Sequence, residues 1–225
     1  WDQARERIVE FGGCFFSDYT WEWDGAWTRR YPPVTPPKWV NPALAYDAAR
    51  QRVVLHNYSE TWTWDGTTWT NHAPKASPPG RSDHAMAYDA ARQRVVLFGG
   101  VSSISLGDTW EWDGTTWTQA TPPVSPAPRK WPTMAYDPVR QRVVLYGGRD
   151  GATDYTDTWE WDGTAWSQLT AVSRALPFAS MAYDVPHQRM VLMDLKRTWL
   201  LGATVAATHQ TYGTGCAGAG GVPAL

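Results

Sequence analysis

The 225-residue chain sets 20 Lys and Arg against 22 Asp and Glu, for a formal charge of −2, with 43% hydrophobic residues. That balance excludes a nucleic-acid grip by bulk positive charge, though not a local basic patch. No apolar run reaches the ~18 residues of a membrane-spanning helix. Sixteen Trp and ten Tyr point to a heavily aromatic interior.

The chain opens inside a unit that then recurs. The first copy starts at the turn DQARER (2–7), continues through IVEFGG (8–13) and closes with TWEWDGAW (20–27). The second carries DAARQR (47–52) and TWTWDGTTW (61–69). The third is the most complete and predicts four strands: HAMAY (84–88), RVVLFG (94–99), DTWEW (108–112) and TTWTQ (115–119). The fourth holds DPVRQR (137–142) and TWEWDGTAW (158–166). The fifth has ASMAY (179–183), DVPHQR (184–189), RMVLM (189–193) and a shortened TWLLG (198–202), with TVAATHQTY (204–212) offered as its last strand. The turn Asp residues 2, 47, 89, 137 and 184 are spaced by 45, 42, 48 and 47 residues. A period of about 40–50 residues with several short strands per copy is that of a propeller blade or related array.

Each copy explains itself locally. Asp opens the first turn because its carboxylate accepts from amides two or three residues on. Asp-Gly suits the tight hairpin between third and fourth strands, which needs positive φ. Trp110 and Trp112 are two apart and share a face; Val95 and Leu97 take one face of the second strand, Val96 and Phe98 the other. A strand apolar on both faces is buried on both sides, as sheets packed face to face require. The Trp residues at repeat positions read as packing residues. Arg52, Arg94, Arg142 and Arg189, beside the turn, are expected to pair with the turn Asp or with a Glu such as Glu111.

In such a sheet the Asp–Arg and Asp-Gly turns gather at one end. The mid-sheet loops and the crossovers to the next copy gather at the other. The turns are nearly identical between copies, whereas the loops and crossovers differ. A uniform end follows from folding alone; a varied end is where individual chemistry resides. The candidate binding residues are therefore Lys38, Trp39, Arg81, His84, Arg129, Lys130, Trp131, Arg149, Asp150, Tyr155 and Arg174. Arg with aromatic residues is typical of recognition surfaces, and Trp suits a stacked sugar ring. The alternative is that Trp39 and Trp131 merely cover the start of a strand. The proline pairs at 32–33, 36–37, 78–79 and 122–123 stiffen the crossovers.

The runs VVLFGG (95–100), VVLYGG (143–148) and IVEFGG (8–13), each followed by a variable loop and a Trp-rich third strand, resemble the Kelch repeat. The version is that of bacterial multidomain proteins and of the galactose oxidase central domain. The resemblance spans about residues 1–202. Copies two and five depart from it, with His56-Asn57 and Met193-Asp194 in place of Gly-Gly. It implies an all-β propeller of four-stranded antiparallel blades. About five units are present (about 1–31, 32–72, 73–120, 121–169 and 170–212), the first and last incomplete. Residues 213–225, rich in Gly and Ala, read as a tail or linker to a domain outside this sequence.

Catalytic signatures are weak. A galactose oxidase-like copper site would need Tyr and His with a Cys cross-linked to Tyr. The five His (56, 72, 84, 187, 209) show no paired spacing, although His56 and His84 could both reach the varied end and Cys14 follows a Gly-Gly. DGTTW lacks the residue between Asp and Gly found in a sialidase aspartate box. Asp150, Asp154 and Asp157 fit no known calcium loop, and no nucleophile elbow is present. Cys14 and Cys216 leave one long-range disulfide open.

The expectation is a non-catalytic propeller, without cofactor or metal, binding a protein or glycan at its varied end. It would be a monomeric module of a longer secreted or cell-surface bacterial protein, with no membrane span. A copper oxidoreductase and a structural spacer are the alternatives. Residue 1 is Trp and lies inside a repeat, so the sequence reads as a piece that carries no targeting information.

Overall fold

A computed structural model describes residues 1–12, 17–38, 41–170, 178–194 and 198–201. Among them are twenty strands and no helix, hence no helix long and apolar enough to cross a membrane. The strands form five antiparallel sheets in chain order and one small hairpin. The first sheet is Ile8–Phe11, Thr20–Trp23 and Trp27–Arg30. The second is Ala43–Asp47, Arg52–Asn57, Glu60–Trp64 and Trp69–His72. The third is Ala85–Asp89, Arg94–Phe98, Thr109–Trp112 and Trp117–Ala120. The fourth is Thr133–Asp137, Arg142–Tyr146, Thr158–Trp161 and Trp166–Leu169. The fifth is Ser180–Asp184, Arg189–Met193 and Thr198–Leu201. The hairpin, Arg149–Asp150 with Thr153–Asp154, grows from the mid-sheet loop of the fourth sheet. The strand expected at 204–212 and the tail at 213–225 lie outside the described residues.

The second strand of each internal sheet is buried on both faces, as its unbroken apolar run requires. Val95 and Leu97 join Ala45 and Val54 of the second sheet, while Val96 and Phe98 join Val143 and Leu145 of the fourth. Neighbouring sheets approach most closely at their first strands, where the facing residues are small: Ala45, Ala85 and Ala87. Further out the gap is filled by Trp from the third and fourth strands, always on the face toward the preceding sheet. Trp64 and Trp69, Trp112 and Trp117, and Trp161 and Trp166 are all nearly fully buried. Small inside and large outside is the side-chain gradient of sheets arranged as a fan. Packing runs from each sheet to the next in chain order.

Polar atoms lock the first three steps of the fan. The fourth-strand indole donates to a Thr hydroxyl of the preceding sheet: Trp69 to Thr20 at 2.8 Å, Trp117 to Thr61 at 2.8 Å and Trp166 to Thr109 at 2.9 Å. The third-strand indole donates to a Glu: Trp64 to Glu22 and Trp161 to Glu111, both at 2.9 Å. The second sheet has Thr63 at that Glu position, and Trp112 Nε1, buried, finds no partner among the described residues. First-strand tyrosines add a third link, since Tyr46, Tyr88 and Tyr136 hydroxyls accept from Ala4, Ala49 and Ala91 amides of the preceding turn, each at 3.1 Å.

At the uniform end the turn Asp accepts the amide three residues on, as at Asp89 with Arg92 (3.1 Å). The ion-pair expectation needs correction. The arginine that pairs is the one three residues after Asp: Arg50 with Asp47 at 2.8 Å, Arg92 with Asp89 at 2.9 Å and Arg140 with Asp137 at 2.8 Å. Three residues of turn bring that guanidinium back over the carboxylate. Arg52, Arg94 and Arg142, two further on, instead donate to the backbone carbonyls of Gln51, Gln93 and Gln141. Only Arg189, of those expected, pairs with its turn Asp184 (3.1 Å), where His187 has replaced the usual Arg.

Candidate binding face at the variable end

The crossovers and mid-sheet loops meet at the opposite end, held by two buried clasps. Arg81 forms a two-pronged pair with Asp108 (2.6 and 2.8 Å) and donates to the carbonyls of Pro79 and Gly99, both at 3.0 Å. Arg129 repeats the pattern with Asp157 (2.6 and 3.1 Å), Ala127 O (2.9 Å) and Gly147 O (3.0 Å). Each clasp ties a crossover to the Gly-Gly loop of its own sheet. The same carboxylates accept from Trp110 (2.6 Å) and Trp159 (2.7 Å). Burial opposes ionisation of Asp108 and Asp157, but the guanidinium bonds and charge together with the indole bonds outweigh it and hold both carboxyls below their ordinary range. Both arginines are fully buried. Their guanidiniums are committed to the fold, so these two of the residues expected on the binding face lie buried beneath it. Tyr155 is also engaged, its ring 4.0 Å from the Arg129 guanidinium carbon.

Directly before the first strands lies a row of equivalent positions: Asn41, Asp83, Trp131 and Phe178. The first three adopt positive φ (48°, 59° and 58°). They are linked in series. Asn41 Nδ2 donates to Asp83 Oδ1 at 2.6 Å, and Trp131 Nε1 donates to the same oxygen at 2.7 Å. The Trp131 and Phe178 rings meet edge to face, with centroids 5.5 Å apart. Together they border an open cavity of about 610 Å³, whose walls include Pro42, His84, Pro132 and Arg149. Trp131 and Phe178 remain 38% and 47% exposed at its rim.

Two cations overlie these rings. Lys130 Nζ lies 4.1 Å from the Trp131 centroid, and the Arg149 guanidinium carbon lies 4.9 Å from that of Phe178. Arg149 is also paired with Asp154 across the small hairpin (2.5 and 3.0 Å), and that exposed pair raises the Arg149 pKa and lowers that of Asp154.

Of the residues expected on the binding face, His84, Trp131 and Arg149 line the cavity, with Lys130 beside it. Asp150, exposed, lies in the hairpin next to Arg149, and Lys38 is exposed on a crossover and is not part of the cavity lining. Trp39, Arg174 and Cys14 lie outside the described residues, as do Cys216 and His209. Asn41 and Phe178 were not singled out from sequence. Their signal is positional: both stand two residues before a repeated first strand.

His56 and His84, 28 residues apart, come together with ring centroids 5.4 Å apart. His56 occupies the position of Phe11 and Phe98 and packs edge-on against Trp117 as they do against Trp69 and Trp166. Burial, reinforced by the Arg81 charge, pushes its pKa down to about 3. Burial, His56 and Arg81 likewise lower His84 well below the ordinary range. Both rings are neutral at pH 7. Neither ring nitrogen of His84, nor Nε2 of His56, has a hydrogen-bond partner among the described residues.

No known family model matches this chain, and neither does any curated protein.

Proposed function

We propose that the chain is a run of Kelch-type β-propeller blades that binds a protein or glycan ligand, without catalysis, in the cavity at its variable end. The fan of sheets, converging on their first strands, supports a propeller, and the Gly-Gly and Trp spacing supports the Kelch type. The observation that carries the binding function is the row Asn41, Asp83, Trp131 and Phe178. Equivalent positions with one structural task are expected to carry one residue type, as the turn Asp and the Trp positions do. These four carry an amide, a carboxylate, an indole and a phenyl ring, and all border the same cavity.

Two partly exposed aromatic rings with overlying cations provide a wide apolar contact at low entropy cost, the composition of an interface centre. His84 adds a neutral donor–acceptor pair at the wall. On this reading the protein is secreted or displayed on a cell surface. The test is a glycan and protein-ligand binding screen followed by Trp131→Ala and Phe178→Ala. Binding lost in both, with an unchanged melting curve, supports the reading; binding retained in both refutes it.

The approach of His56 to His84 is the one observation favouring a copper oxidoreductase. Copper content of the purified protein, compared with that of His84→Ala, separates the two readings.

A further inference from the structure

Among the described residues, the sheets at the two ends of the stack each carry an uncovered face, and the two faces match the opposite halves of the packing between consecutive sheets. In the second, third and fourth sheets the Trp-bearing face packs on the sheet before it. In the first sheet that face holds Ile8, Glu10, Trp21, Trp23 and Trp27, by the register Ile8–Trp23–Trp27 and Glu10–Trp21. Trp27 is 42% exposed there, and Ile8 is equally open. Its equivalents Trp69, Trp117 and Trp166 are buried.

Among the described residues the fifth sheet is uncovered on the other side. Met190 and Leu192 face inward and are buried, with Leu192 packed on Tyr146 of the fourth sheet. The register places Ala182, Val191 and Leu200 together on the opposite face, alongside Ser180, Met193 and Thr198. Met193 is 48% exposed. This set corresponds position by position to Ala85, Ala87, Val96, Phe98, Thr109 and Glu111. Those residues receive the Trp face of the fourth sheet, with Thr109 accepting from Trp166.

We infer that the Trp face of the first sheet docks on the outer face of the fifth sheet of a second copy of this chain. The contact is head to tail, and it repeats the packing already used between consecutive sheets. Thr198 stands where Thr20, Thr61 and Thr109 accept an indole N–H, so it is the acceptor for Trp27. Leu200 replaces the Glu that receives the third-strand indole, and Glu10 stands where the internal sheets have Leu55, Leu97 and Leu145. Both changes weaken the contact relative to the internal ones, and the association is therefore reversible. A heterologous contact of this kind extends indefinitely unless its rotation closes a ring.

The experiment is sedimentation velocity of the 225-residue chain over a wide concentration range, with Trp27→Glu and Met193→Glu. Both side chains are outside the internal core, and melting curves check that both variants fold; Ile8→Glu is a second probe of the first sheet. The wild-type mass should rise with concentration beyond that of a dimer. Each variant alone should remain monomeric. Mixing Trp27→Glu with Met193→Glu should restore a species of twice the monomer mass and no larger, because each retains one intact face. A wild-type monomer at all concentrations, as closure of the two faces within one molecule would give, overturns the inference. So does association that survives either substitution, or a mixture that stays monomeric.

Discussion

The two ends of the sheets use the same chemistry, Arg with Asp, in opposite ways. At the uniform end the carboxylates of Asp47 and Asp89 are buried, while Arg50 and Arg92 lie about one-third exposed over them and reach across to the next sheet. At the variable end the arrangement is reversed: Arg81 and Arg129 are fully enclosed, and their partners Asp108 and Asp157 are about one-fifth exposed. In each pair the partly exposed member is screened by water, and the cost of breaking the pair lies in the buried charge left behind. The end that varies most in sequence is thus held by guanidiniums buried within its own loops, each bonded to two carbonyls besides its carboxylate. Variable side chains are presented on loops that are themselves pinned.

The largest effect should come from removing one member of a clasp. Asp157→Ala should lower stability by about 3–5 kcal/mol by stranding the fully buried Arg129 guanidinium, whereas Arg92→Ala should cost less, about 1–3 kcal/mol, because the buried Asp89 keeps its bond from the residue-92 amide. Chemical denaturation of the two variants measures the difference; equal losses would erase the distinction between the ends.

The uniform end can be probed through its Asp-Gly turns. Gly114, at φ 99°, receives the Arg50 side chain of the preceding sheet, so a Cβ there would overlap the guanidinium; Gly25, at φ 117°, has open space around it. Gly25→Ala should cost about 1–2 kcal/mol from left-handed backbone alone. Gly114→Ala should cost more, since Arg50 must also move.

His56→Phe should stabilise by about 1–3 kcal/mol, by restoring the aromatic found at equivalent positions and removing an unpartnered buried nitrogen. The gain should grow as pH falls. The folded His56 stays neutral to about pH 3, while in the unfolded chain it protonates near 6.5. The unfolded state therefore binds the proton first. Stability is intact above about pH 6.5 and lost as pH falls toward 3, by about 1 kcal/mol per pH unit for such a histidine. A stability–pH curve of the variant should be flatter across that window.

The smallest expected effect is Thr63→Glu. It supplies Trp112 Nε1 with the acceptor that Trp64 and Trp161 already have, for a gain of about 1 kcal/mol.

Much of this arrangement is written in repeating residues. The third-strand Trp pairs, the Asp-Gly turns and the two-faced second strands fix strand boundaries and facing, since each depends on neighbours a few residues away. The choice between Arg50 and Arg52 for the ion pair depends on how the turn curls, and position alone does not supply that. Arg81 and Arg129 read as surface residues because loop arginines usually are; their burial follows from Asp108 and Asp157, 27 and 28 residues downstream. The meeting of His56 with His84, and of Trp131 with Phe178, joins different copies, and nothing local in the sequence marks those pairs.

The indole-to-hydroxyl links join only adjacent sheets, so cohesion in this chain is propagated from neighbour to neighbour, as in other repeat architectures. Amides of Arg94–Phe98, with a sheet on either side, should exchange with solvent most slowly. Protection should decline toward Ile8–Phe11 in one direction and Arg189–Met193 in the other. Loss of order would then travel inward from both flanks, and the central sheet with its clasped loops would be the last to let go.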